Sequence, residues 1–317
     1  MIPSPQHDIA GVPLDSMATP MPVFPGHGAQ AGSGPHGIRR IGPARRAVLL
    51  FGTVTILAAC GDGGTAGRAP EGICRGESLF GRPSSNTGLD ASQCTDTCPD
   101  CDGGPFSPPA YDEAFVAGLR AWRLLDPPSP VHANPYDSPP ALPAADTRVC
   151  AVRIEDPEER TYRLETWPGA RAAAEAGAIM THDGACGVCS DLESLAVYAE
   201  VGDLTQPVRR CAVVGLLLGE ERNLKCLYRI GFNAACASIW YWNTVNTRAA
   251  CQDLCLQQVG DPYHTPDGAL NDCLRCDEER SGPVFKAVAG RTRRNSGLAT
   301  ALCRPCAEVR PLSHRYE

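Results

Sequence analysis

The chain has 317 residues with 43% hydrophobic residues, 17 cysteines and a formal net charge of −7. That length allows a real hydrophobic core beside any disulfides, the acidic balance argues against nucleic acid or an anionic membrane as a general partner, and the cysteine density argues against a reducing cytosol. The glycines and prolines cluster in the first 145 residues, where they read as linker and loop.

Residues 1–38, rich in Pro, Gly and His, fit no exported or folded pattern. They are expected to be a disordered leader or to lie upstream of the true start, at Met17, Met21 or later. Residues 39–59 read as a signal peptide: a basic flank (Arg39, Arg40, Arg45, Arg46), an apolar core from Ala47 to Ala59 and small residues before Cys60. At a rise of about 1.5 Å per residue the core covers about 20 Å, short of the roughly 30 Å a membrane span requires. Leu57-Ala58-Ala59-Cys60 resembles the lipobox of bacterial lipoproteins. The resemblance implies cleavage before Cys60, diacylglyceryl on its thiol and an acyl chain such as palmitate on its amine, so that the membrane becomes a partner through lipid. Arg45-Arg46-Ala47-Val48-Leu49 also resembles a twin-arginine export signal. Removing Cys60 from 17 cysteines leaves 16, an even set able to close into disulfides with no thiol left over. These are Cys74, Cys94, Cys98, Cys101, Cys150, Cys186, Cys189, Cys211, Cys226, Cys236, Cys251, Cys255, Cys273, Cys276, Cys303 and Cys306.

Residues 60–72 have the composition of a flexible tether. Residues 73–147 read as a cysteine- and proline-rich loop region with one helix over Asp112–Leu125, where Phe115, Leu119, Trp122 and Leu125 share a face and Pro127-Pro128 stop the run. Residues 148–317 read as a disulfide-rich, mainly helical domain. It opens with strands over Val149–Ile154 and Thr161–Trp167, joined by the turn Asp156-Pro157-Glu158-Glu159. Helices are expected over Ala170–Ala176, Ser190–Tyr198, Pro207–Leu217, Glu220–Tyr228, Asn233–Gln258 and Pro283–Ala289, with a strand over Ala178–Thr181. Cys251 and Cys255, four apart, share a helix face from which each can bridge to a neighbouring helix. In Ile239-Trp240-Tyr241-Trp242, Trp240 is expected in the core on the face of Cys236. The fold class is α+β, mainly α-helical: disulfide-stapled helices with a small β-hairpin.

Thr181-His182-Asp183-Gly184-Ala185-Cys186-Gly187-Val188-Cys189-Ser190 is the first candidate site. A C-x-x-C pair entering a helix N-terminus can carry a stabilised thiolate and cycle between dithiol and disulfide, with His182 as the adjacent base. The alternative is that each cysteine staples a different partner. The segment also resembles the papain-like cysteine protease signature, with Cys189 in the nucleophile's place, although Val188, Ser190 and Asp183 depart from it. Cys273, Cys276, Cys303 and Cys306 have the spacing of a four-thiolate zinc site, against disulfides as the alternative. Lys286, Arg291, Arg293 and Arg294 form a basic cluster suited to a carboxylate or phosphate, unless Asp272, Asp277, Glu278 and Glu279 neutralise it internally. His182, His264 and His314 are too scattered for a metal site and are expected to be surface or hydrogen-bonded histidines. The G-x-S-x-G, H-E-x-x-H, phosphate-loop and dinucleotide patterns do not occur, and no cofactor is expected. The sequence as a whole points to a lipid-anchored envelope protein with a binding or structural ectodomain, an extracytoplasmic ligand or protein as its partner, and no nucleic acid. A thiol enzyme acting through Cys186 and Cys189, or a metal binder, is the alternative.

Overall fold

The computed structural model describes residues 72–143 and 146–316, which fall within one unit, Gly63–Glu317. The expectations for the leader, the signal peptide, Cys60 and the tether up to residue 71 lie outside the described residues. Strand β1 (Leu79–Phe80) is the centre of a small sheet, parallel to β2 (Cys94–Thr95) and antiparallel to the late strand Arg304–Pro305. The pairing brings the two ends of the described chain together, and disulfides Cys94–Cys303 and Cys98–Cys306 lock it, with Cys74–Cys101 beside them.

Helix α1 (Glu113–Arg120) starts at Asp112, whose carboxylate accepts the N–H of Phe115, a standard N-cap. It ends before the prolines, because Arg123 and Leu125 donate their N–H groups to the carbonyls of Arg160 and Tyr162. The residues expected to finish the helix thus become strand β3 (Arg123–Leu124). The hairpin forms as expected from β4 (Val149–Asp156) and β5 (Thr161–Trp167), with the Asp156 carboxylate accepting the N–H groups of Glu158 and Glu159 in the turn. After the short helix α2 (Ala170–Glu175), β6 (Ile179–Asp183) returns antiparallel to β4, giving the sheet order β3-β5-β4-β6.

The helical part runs through α3 (Leu192–Glu200), α4 (Thr205–Leu218), α5 (Glu220–Ile230), α6 (Ala234–Gln257), α7 (Asp272–Arg280) and α8 (Gly282–Ala289). The last strand, β7, is Arg304–Pro305. Side chains of Asp191, Asn233 and Asn271 cap α3, α6 and α7 by accepting N–H groups three residues on. The core gathers around α3, whose Leu192, Leu195, Ala196 and Val197 pack with Leu227, Cys236 and Ile239 from α5 and α6. Trp240 joins its edge, with its ring 4.7 Å from that of Phe285, while Trp242 donates its indole N–H to the carbonyl of Val131. α6 and α7 are joined by Cys251–Cys276 and Cys255–Cys273, so both cysteines of the α6 face bridge to one neighbouring helix.

All sixteen cysteines of the described residues are paired, in eight disulfides. Such a set belongs to an oxidising, extracytoplasmic compartment. No helix among the described residues is long and apolar enough to cross a membrane.

Candidate functional site

The segment between β6 and α3 carries the candidate thiol pair, and the structure separates the two cysteines. Cys186 bonds to Cys150 of β4, and Cys189 bonds to Cys236 of α6. A redox pair needs two sulfurs able to bond to each other, so this segment is a pair of staples joining sheet to loop and loop to helix. The thiol-nucleophile reading loses its sulfur for the same reason. The zinc reading fails likewise: Cys273 and Cys276 are taken by α6, and Cys303 and Cys306 by Cys94 and Cys98. The sulfurs of Cys74, Cys98 and Cys101 lie within 4.8 Å of one another, but only because two disulfides are neighbours there; bonded sulfurs are not thiolate ligands.

Close backbone approach builds the loop. Val188 and Cys189 donate to the carbonyls of Val288 and Ala289 at 3.0 and 2.9 Å, laying the loop against the end of α8. Gly290 turns there with φ +75°, and a Cβ on it would come within 2.5 Å of the Ser190 hydroxyl and 2.6 Å of the Gly187 nitrogen. Glycine is required on both counts.

His182 is fully buried and does not serve a thiol. Its Nδ1 lies 2.9 Å from the carbonyl of Asp183, which can only accept, so Nδ1 carries the proton and Nε2 accepts from the Ser190 hydroxyl at 2.7 Å. Ser190 Oγ in turn accepts the N–H of Gly187 at 2.8 Å. Burial, reinforced by the charge of Arg291, holds the imidazole well below its ordinary pKa. This is a serine–histidine pair with the tautomer a general base would have, but both side chains are closed off from solvent.

Arg291 organises the surroundings. Its guanidinium is wholly buried and has five N–H groups, and the structure gives it five acceptors. Nε donates to Cys189 O; Nη1 to Thr181 O and Ser296 Oγ; Nη2 to Thr181 Oγ1 and Ser190 O. A second, directed chain starts from the same group. His314 Nε2 lies 2.6 Å from the Ser296 carbonyl and so donates, leaving Nδ1 to accept from the Tyr316 hydroxyl at 3.0 Å. The Tyr316 oxygen then accepts from Thr181 Oγ1 at 2.8 Å, and Thr181 accepts from Arg291. Burial first, and Arg291 second, push the His314 pKa down to about 3. Burial also lowers the Arg291 pKa, against the pull of Tyr316 and Asp191.

The basic cluster therefore does not assemble as an anion site. Arg291 has no donor to spare. Arg293 lies 5.5 Å from the Tyr198 ring centre and bonds to the Val201 carbonyl, and burial brings its pKa down to about 10. Arg294 pairs with Glu278 at 2.5 Å and Glu308 at 2.9 Å; burial works against its charge, but the two carboxylates outweigh it and raise its pKa. Lys286 remains exposed on α8. Of the acidic residues expected to neutralise the cluster, Glu278 does so. His264 is buried with its Nδ1 on Gly268 O, and its Nε2 accepts the N–H of Cys303.

The sequence did not single out Ser190, Thr181, Ser296 or Tyr316 as partners. Ser190 was in plain view beside Cys189, but the links from Arg291 and Tyr316 to Thr181 cross 110 and 135 residues, and no local pattern encodes them. A family of unknown function, DUF8771, matches residues 220–311, which run from α5 through β7 and take in Arg291 and Ser296. No curated protein and no solved structure matches the chain significantly.

Proposed function

We propose that this chain is a lipid-anchored protein of the bacterial cell envelope, held to the extracytoplasmic side of a membrane through Cys60, with a disulfide-stapled ectodomain that binds or scaffolds and does not catalyse. The observation that carries the reading is the closure of all sixteen described cysteines into eight bridges. The seventeenth is Cys60, the residue at the end of the lipobox-like tetrapeptide, and no partner thiol remains for it within the chain. The non-catalytic part of the reading rests on chemistry. Cys186 and Cys189 are consumed in separate bridges, and the serine–histidine pair of Ser190 with His182 is sealed inside the fold.

The test is mass spectrometry on protein isolated from the envelope, with the N-terminal peptide and every alkylated cysteine identified. The expected result is a diacylglyceryl and acyl group on Cys60, absent from C60S, and no cysteine alkylated without reductant. An unmodified Cys60 in a chain still carrying its upstream residues would overturn the anchor. An easily reduced pair at Cys186 and Cys189 would restore the enzyme reading.

A further inference from the structure

The α4–α5 hairpin ends in an apolar tip. Leu216, Leu217 and Leu218 are 58%, 73% and 65% exposed, and Val213 one turn earlier is exposed as well. Three consecutive leucines cannot all face a core from one helix, and here none does. The hairpin is nonetheless rigid: Cys211–Cys226 crosses it, and Asn223 Nδ2 donates to Cys211 O at 3.0 Å where Gly215 leaves room for the Asn223 side chain. A stapled projection with bare leucines at its end is a contact surface and not a frayed terminus.

The charge along the hairpin is also distinctive. In a chain of net charge −7, its two helices together carry five basic residues against Glu220 and Glu221, which follow the leucines after Gly219, and Glu221 is paired with Lys225. Arg210, Arg222 and Arg229 are exposed and make no ion pair among the described residues. We infer that the α4–α5 tip docks on the anionic phospholipid surface to which the chain is tethered, with Leu216, Leu217 and Leu218 entering the acyl boundary and the arginines facing the headgroups. The inference rests on the reading of Cys60 as the lipid site. Gly72 comes twelve positions after Cys60, and a fully extended chain over those twelve steps spans about 40 Å, so the body stays within reach of the bilayer. A second copy of the chain fits the tip less well, because a two-fold contact would set the basic flanks of two hairpins against each other.

The experiment uses the mature chain from the envelope, reconstituted in vesicles of phosphatidylethanolamine and phosphatidylglycerol that contain a phospholipid with a photoactivatable diazirine on its acyl chain. Photolysis should place adducts on the peptide carrying Leu216–Leu218. In L216S/L217S/L218S, with its eight disulfides mapped as intact, those adducts should fall on the order of tenfold. A tip peptide without adducts, beside a lipid-bearing Cys60 peptide, would overturn the docking and leave the anchor standing. If Cys60 carries no lipid, vesicle flotation of the same chain decides: flotation lost in the triple variant supports the tip, and no flotation of the wild type overturns it. Crosslinks between two copies at the tip would also overturn it.

Discussion

Arg291 shows how a buried cation can be stabilised without a carboxylate in contact. Five neutral acceptors match its five donors, and four of them come from the segment 181–190. Lysine would keep the charge but supply a single point of three donors, leaving carbonyls of Thr181, Cys189 and Ser190 short of partners. R291K should therefore lower unfolding free energy by about 3 kcal/mol or more, since each buried acceptor left unmet costs about 1–3 kcal/mol; urea denaturation at neutral pH checks this. The buried histidines add a pH dependence whose sign is fixed. His182 and His314 are neutral in the fold well below the pH at which they protonate in an unfolded chain. Their contribution is complete above the unfolded value of about 6.5 and is lost as pH falls from there toward the folded values. Each should add a slope of up to about 1.4 kcal/mol per pH unit over that acid window. Asp183 acts in the opposite direction, because burial raises its pKa despite Arg310 and Lys286, but it does so nearer the carboxylate range. Urea midpoints between about pH 5 and pH 7 should fall with acidity, less steeply in H314Q than in wild type, and an equal slope in both would refute the assignment.

Elements were legible where apolar periodicity or a turn signal marked them, which covers the β4–β5 hairpin and most helices. They were not legible where another force set the boundary. α1 stops early because backbone donors of Arg123 and Leu125 pair across to the strand side, a link outside any local window. α7 was missed because Asp272–Arg280 holds one leucine among charged residues; its buried residues are Cys273 and Leu274, with Cys276 half-buried beside them, so the apolar stripe is written largely in cysteines. The i, i+3 pair on α7 meets the i, i+4 pair on α6, and two bridges replace the side-chain packing an ordinary helix would use. α7 should therefore depend on those bonds more than its neighbours do. Replacing Cys255 and Cys273 by alanine should cost about 2–4 kcal/mol, and hydrogen exchange should show protection lost across 272–280 while α3 keeps its own. Uniform loss across the fold would instead mean that α7 is held by the core.

Across the whole molecule, connectivity is the part that sequence could not supply: sixteen cysteines announce disulfides but not partners. Of the four C-x-x-C pairs, Cys186/Cys189 invited a redox reading and Cys273/Cys276 with Cys303/Cys306 a zinc reading, yet none of the four closes on itself. The two that matter most for architecture, Cys98 with Cys101 and Cys303 with Cys306, send Cys98 to Cys306 and Cys303 to Cys94, across 208 and 209 residues. Region 220–311 is likewise not self-contained, since Cys226, Cys236, Cys303 and Cys306 all bond outside it. This gives a test that needs no structure determination. A protease site inserted between the exposed Ala141 and Leu142 would cut the chain between its early and late cysteines. With the long bridges in place, the N-terminal fragment should stay joined to the rest on a non-reducing gel and separate only with reductant. C94A/C98A should release it without reductant. Local closure of the C-x-x-C pairs predicts release from the uncrossed wild type as well. The retained fragment would thus establish that the proline-rich region and the helical region are one covalently closed body, in which the small sheet of β1, β2 and β7 is the seam.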